Sequence, residues 1–146
     1  MNIFEVIRRD HEKQRSLVKA LVETSGDSAS RKLFFNELKE ELEAHAAAEE
    51  RHFYVPIMKA DATLQQSRHA IHEHHQLDKM IEKLEQTEMS SPAWLQYMNQ
   101  LKDKLLHHLE EEEQKIFQQA GKVLESSEKN HLAKAFDKEK ESLITA

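Results

Sequence analysis

The chain has 146 residues, no cysteine, two glycines, two prolines, 33% charged residues and a formal net charge of −6 with histidine neutral. The missing thiols exclude disulfides, thiolate metal sites and cysteine nucleophiles, the scarcity of turn residues argues against a β fold, and the lack of clustered Lys and Arg argues against nucleic acid as a partner. No run approaches the roughly 20 apolar residues of a membrane span. The charged start, with Glu5, Arg8, Arg9 and Asp10, does not fit a signal peptide, so a cytoplasmic protein with a single domain over 1–146 is expected.

The first helix is expected over residues 2–24. Phe4, Ile7, His11, Leu17, Val18 and Leu21 keep the period of about 3.6 that marks one buried face. Gly26 is a stop signal, and Ser28 or Ser30 can cap the next helix. The second helix, 30–58, turns Leu38, Leu42, His45, Glu49 and then His52 or Phe53 inward, and Pro56 is expected to bend or stop its last turn. Asp61 or Thr63 opens the third, with Thr63 and Gln66 at capping-box spacing. That helix carries Ile71, His74, Leu77, Ile81 and Leu84 inward and ends near residue 88. Ser91-Pro92 signals a fourth start, Ser as N-cap and Pro at the first helical position. Its inner face is Trp94, Leu101, Leu105, His108 and Glu112, and Gly121 marks its end near 120. In the tail, 126–146, Leu132, Ala135, Phe136 and Leu143 suggest a short amphipathic fifth helix packed on the bundle end.

The two halves of the chain echo each other. Asp10-His11 matches Glu73-His74 and His45…Glu49-Glu50 matches His108…Glu112-Glu113, in each case 63 positions on (11 to 74, 45 to 108). Leu42 matches Leu105, and Phe53-Tyr54 matches Ile116-Phe117 in the same register. Such self-similarity indicates an internal duplication, 1–62 and 63–125. Four helices with short connections make an all-α, antiparallel up-down four-helix bundle, in which inner residues of matching depth meet.

Residues four apart share a helix face, so His45 with Glu49 and His108 with Glu112 each form an imidazole–carboxylate grip. Together with His11 and His74 they would place four imidazoles and two carboxylates in one core. Buried charge on that scale needs pairing or a cation. A purely polar network is one solution; a metal is the other. Imidazole and carboxylate without thiolate suit iron, manganese or zinc, and shared carboxylates can hold two cations close together. Two His per metal plus one oxygen from each Glu fill four positions, fewer than the five or six that iron usually takes. A position on each metal would stay open.

At these residues the chain resembles the hemerythrin-like proteins of the HHE cation-binding type. The motif is the doubled His…His-x-x-x-Glu-Glu followed by an aromatic or aliphatic pair, here Phe53-Tyr54 and Ile116-Phe117, with Pro56 after the first copy. The resemblance implies a four-helix bundle around a non-haem di-iron site. It assigns metal-ligand roles to His11, His45, Glu49, His74, His108 and Glu112. It differs from the oxygen carriers of the family, which have His-x-x-x-His on the third helix: the positions four from His74 are Ala70 and Asp78, and Glu113 stands where carriers have Asp. The function implied is a di-iron protein that binds or reacts with oxygen, peroxide or nitric oxide. Iron storage or delivery, and a bundle stabilised by zinc, are the alternatives.

Six further histidines lie outside this set. His69, His72, His75, His107 and His131 are expected at the surface, and the run 110–113 is expected to be a solvated face apart from Glu112. His52, one turn beyond the first grip, is a weaker candidate ligand.

Overall fold

The computed structural model describes residues 1–145; Ala146, the last residue of the expected tail, lies outside the described residues. Five long helices form: α1 (Ile3–Val22), α2 (Ala29–Glu49), α3 (Asp61–Glu85), α4 (Pro92–Glu111) and α5 (Ser126–Thr145). Two of them run on past these bounds. The second continues through a π-helical turn, Glu50–Tyr54, into a last α turn, Val55–Ile57. The fourth continues through a π-helical turn, Glu112–Ile116, into Phe117–Val123.

Local chemistry sets most of the ends. Asn2 and Glu5 exchange side-chain and backbone hydrogen bonds at 3.0 Å, a capping box that opens α1. Ser28 accepts from the Arg31 amide to open α2, and Ser91 accepts from the Ala93 amide with Pro92 at the first position of α4. Gly26 is not the stop of α1, which ends at Val22 with Glu23 as its C-cap; it takes φ +56°, a left-handed turn in the connection to α2. The expected Thr63–Gln66 box does not form. Ala60 occupies the N-cap of α3, and the buried Thr63 hydroxyl donates back to the carbonyls of Ile57 and Ala60. Gly121 is not a stop either: it lies inside the helical stretch Phe117–Val123, which ends at Leu124 in extended backbone.

A slice through the bundle explains the packing. Each of the first four helices passes from an apolar end, through a polar layer, to a second apolar end. One end gathers Ile3, Phe4, Ile7, Phe53, Tyr54, Ile57, Phe117 and Phe136. The other gathers Leu17, Leu21, Phe35, Leu38, Leu84, Trp94 and Leu101. The histidines and glutamates form the layer between. Burying a large side chain such as Trp94 or Phe136 stabilises by about 2–3 kcal/mol, so the two apolar ends clamp a layer that would not hold itself together.

The tail departs from expectation. It is a full helix of 20 residues rather than a short one. It packs along α1 and α2, burying Ala133, Phe136 and Lys140 while leaving Leu143 exposed. Among the described residues no helix is long and apolar enough to cross a membrane.

Candidate metal centre

All six residues of the doubled motif meet in the polar layer, each at most 5% exposed. They divide into two overlapping groups, His11, His45, Glu49, Glu112 and Glu49, His74, His108, Glu112. Within each group one donor atom per residue lies within 4.8 Å of the others. The first group therefore draws its imidazoles from α1 and α2, the second from α3 and α4. Both glutamates belong to both groups, and each turns one oxygen to either side. Glu49 Oε2 is 3.3 Å from His45 Nε2 and its Oε1 is 3.1 Å from His74 Nε2. Glu112 Oε1 is 2.9 Å from His11 Nε2 and its Oε2 is 3.7 Å from His108 Nε2.

Every imidazole presents Nε2 to the centre because a carboxylate holds its other nitrogen. His11 Nδ1 meets Glu113 at 2.5 Å, His45 meets Asp10 at 2.7 Å, His74 meets Glu50 at 2.8 Å and His108 meets Glu73 at 2.8 Å. This arrangement fixes ring orientation and leaves Nε2 free for a cation. The four anchors obey the duplication: Asp10 and Glu73 are 63 apart, as are Glu50 and Glu113. His74 and His11 are each straddled by two consecutive carboxylates, Glu49-Glu50 and Glu112-Glu113.

The anchors were not among the residues singled out from sequence, although the echo of Asp10-His11 in Glu73-His74 and of the paired glutamates carried the signal. The expectation that Glu113 lies on a solvated face fails. It is held inside by His11 and by Arg15 at 2.7 Å. His52 is not brought to the centre, since its ring faces Glu139 of α5 at 3.4 Å. The π-helical turn is the reason. It adds about one residue to the turn after Glu49, so the inward positions become Phe53, Tyr54 and Ile57 rather than His52. The same shift in α4 buries Ile116 and Phe117. Pro56 cannot be its cause, because the second copy has Gln119 at the matching position. The rotation brings in one further functional group: the Tyr54 hydroxyl donates to Glu112 Oε2. His69, His72, His75, His107 and His131 are exposed as expected.

The electrostatics follow from crowding these charges together. Burial alone would push the imidazole pKa values down, but the surrounding carboxylates outweigh it. His45 lies well above its usual value through Glu49 and Asp10, His11 is raised through Glu112 and Glu113, and His74 is raised to about 9 through Glu49 and Glu50. Glu49, for which burial is opposed by His45 and His74, is held well below the usual carboxylate range. Glu112 is pushed up by burial and by the charge of Glu49. Burial and these two carboxylates raise the Tyr54 phenol well above its usual value, so it stays a donor.

Among the described residues seven buried side-chain polar atoms make no hydrogen bond, and five of them belong to this layer: His11 Nε2, His45 Nε2, both oxygens of Glu49 and Glu112 Oε1. They lie close to one another without hydrogen-bond geometry. Lone pairs converging in this way fit cations, and a buried orphan of this kind is otherwise costly. The donor set, imidazole nitrogen and carboxylate oxygen, suits a first-row divalent metal. A small cavity lined by Gln14, His45, His74, Leu77, Leu105 and His108 lies against this layer.

The family model of the hemerythrin HHE cation binding domain matches residues 2–120. The chain belongs to this family. A solved hemerythrin HHE cation binding domain-containing protein from Mycobacterium kansasii superposes with a TM-score of 0.89 at 25% identity, covering 99% of this chain and 88% of that one. A curated relative from Nostoc sp., described as a DNA nickase, is 28% identical over 136 residues, which is 93% of this chain but 38% of that protein. The HHE domain binds metal cations, and the buried His and Glu groups of this member could hold them. Residues 126–145, which contribute α5, lie beyond the matched domain.

Proposed function

We propose that this HHE domain holds two iron ions and binds or reacts with oxygen, peroxide or nitric oxide. The observation that carries the reading is the set of orphaned donors in the buried layer, each glutamate turning one oxygen to each side. His11 and His45 would hold one iron, His74 and His108 the other, with Glu49 and Glu112 shared. Bound iron would supply the redox chemistry and the open position for a small ligand. The protein's own part is orientation and exclusion. Asp10, Glu50, Glu73 and Glu113 aim the imidazoles, Tyr54 keeps a proton against Glu112, and the apolar ends keep bulk water away. The cavity beside His45, His74 and His108 is walled by Leu42, Leu77, Leu105 and Leu109, with the Gln14 amide and the Asp78 carboxyl as its other polar groups, and its small size suits a small ligand. The chain covers 38% of the Nostoc relative, so the activity named for that protein is not carried over.

The test is metal analysis after anaerobic purification, with absorption spectra before and after adding oxygen, peroxide or nitric oxide. Two irons per chain and a spectral change with at least one of the three are expected. Stoichiometric zinc without iron, or an iron spectrum indifferent to all three, would overturn the reading.

A further inference from the structure

A second constellation lies outside the central layer, on the groove between α3 and α4. His69 and Glu73 stand four apart on α3, and His107 and Glu111 stand four apart on α4, so each helix presents an imidazole–carboxylate grip to the other. One donor atom each from His69, Glu73 and Glu111 lie within 4.8 Å of one another. His69 Nε2 is 3.6 Å from Glu73 Oε2 and 4.0 Å from Glu111 Oε1, and His107 Nε2 is 3.3 Å from Glu111 Oε2.

We propose that His69, Glu73 and Glu111, with His107 beside them, form a peripheral site for a divalent transition cation of the zinc type. A tetrahedral ion with bonds of about 2.0 Å spaces its donors about 3.3 Å apart. The observed separations need only small rotations of side chains that have room to make them, since His69 is 53% and Glu111 25% exposed. Glu73, at 5% exposed, forms a buried floor, and the open mouth admits a hydrated ion. The grip is not a by-product of the duplication. The positions 63 earlier are Val6, Asp10, Ala44 and Ala48, so only the anchor carboxylate has a counterpart.

Glu73 belongs to both sites. Its Oε1 accepts from His108 Nδ1 at 2.8 Å while its Oε2 faces His69. A cation on the outer oxygen draws charge from Glu73 and weakens its hold on His108, which couples the groove to the central layer. Lys104 is the native competitor, its ammonium 3.9 Å from Glu73 Oε2. An incoming cation displaces it into solvent.

The central-iron reading enters only through that coupling, and the experiment counts the central metal separately. Purified, iron-loaded protein is titrated with zinc by calorimetry and with cobalt(II) by absorption, and iron is measured before and after. One additional cation per chain is expected. The His69→Ala/Glu111→Gln double variant should lose roughly tenfold or more in affinity for it, with iron content and melting temperature unchanged. Lys104→Gln should bind it more tightly than the parent. No uptake beyond the central metals, or uptake equal in parent and double variant, overturns the site. Should the protein hold no iron, the difference of one cation between parent and double variant still decides the matter.

Discussion

The Lys140 ammonium lies 2.8 Å from Asp10 Oδ1, and the other oxygen of Asp10 holds His45 Nδ1 at 2.7 Å. Through this relay α5, which is no part of the repeated core, reaches the imidazole layer. Glu41 shares the ammonium at 2.7 Å and also accepts from Gln14 at 3.2 Å. In the second half the position of Glu41 is taken by Lys104, which stands beside the matching anchor Glu73. Both halves thus set a cation near the anchor carboxylate. The first half borrows its cation from the tail, and Phe136 seals the same side, edge-on to the His45 ring at 5.5 Å.

Lys140→Met should destabilise the protein by about 2 kcal/mol, read from chemical denaturation. The loss is smaller than for an isolated buried pair, because Arg9 stays 3.6 Å from Asp10 and Lys13 stays 3.7 Å from Glu41. His45 should loosen with it, so metal at the His11–His45 side should be lost first on dialysis. A variant as stable as the parent, with both metals retained equally, would show that α5 merely covers the bundle.

Tyr54→Phe removes one hydroxyl in a packed site. The metal-free protein should lose about 1 kcal/mol, because Glu112 loses its donor, while the metal content of the loaded protein stays the same. Thermal melts of both forms check this. Loss of a metal would mean instead that the phenol holds Glu112 in its bridging position.

Glu49→Ala and Glu112→Ala should do similar damage. Each glutamate faces both imidazole pairs, so each loss should empty both positions rather than one. Metal content per chain measures it directly. One variant retaining two metals while the other retains none would refute equivalent bridges.

Metal removal exposes the titration of the layer. His74, raised to about 9, stabilises the metal-free protein while it is protonated. That contribution is complete below an ordinary imidazole pKa of about 6.5 and is lost as pH rises through about 9; His11 and His45, also raised, act in the same sense. The metal-free protein should therefore melt at a lower temperature at pH 9 than at pH 6.5, by the loss of a few kcal/mol. The loaded protein should trend the other way over the acidic range, because protons compete with the metal for the same nitrogens. Parallel pH profiles for the two forms would contradict both assignments.

Periodicity along the chain was enough to place four helices, their apolar faces and the inward phase of His11, His45, Glu49, His74, His108 and Glu112, because a helix repeats its facing every turn and the doubled motif confirmed the phase twice. The Ser28 and Ser91-Pro92 signals were also legible, since caps are local chemistry. What local pattern could not carry was the choice of partner across helices. Which imidazoles pair, that Asp10, Glu50, Glu73 and Glu113 each hold a ring, and that Glu113 lies inside all depend on four helices packing at one depth. The π-helical turns belong to the same class. An extra residue in the turn after Glu49 swings Tyr54 onto Glu112 and His52 out to Glu139, and a straight reading of helical phase has no term for it. Lys140 was hidden for a simpler reason: a lysine in a charged tail looks solvated until α5 lies down between α1 and α2 and finds two buried carboxylates waiting for a cation.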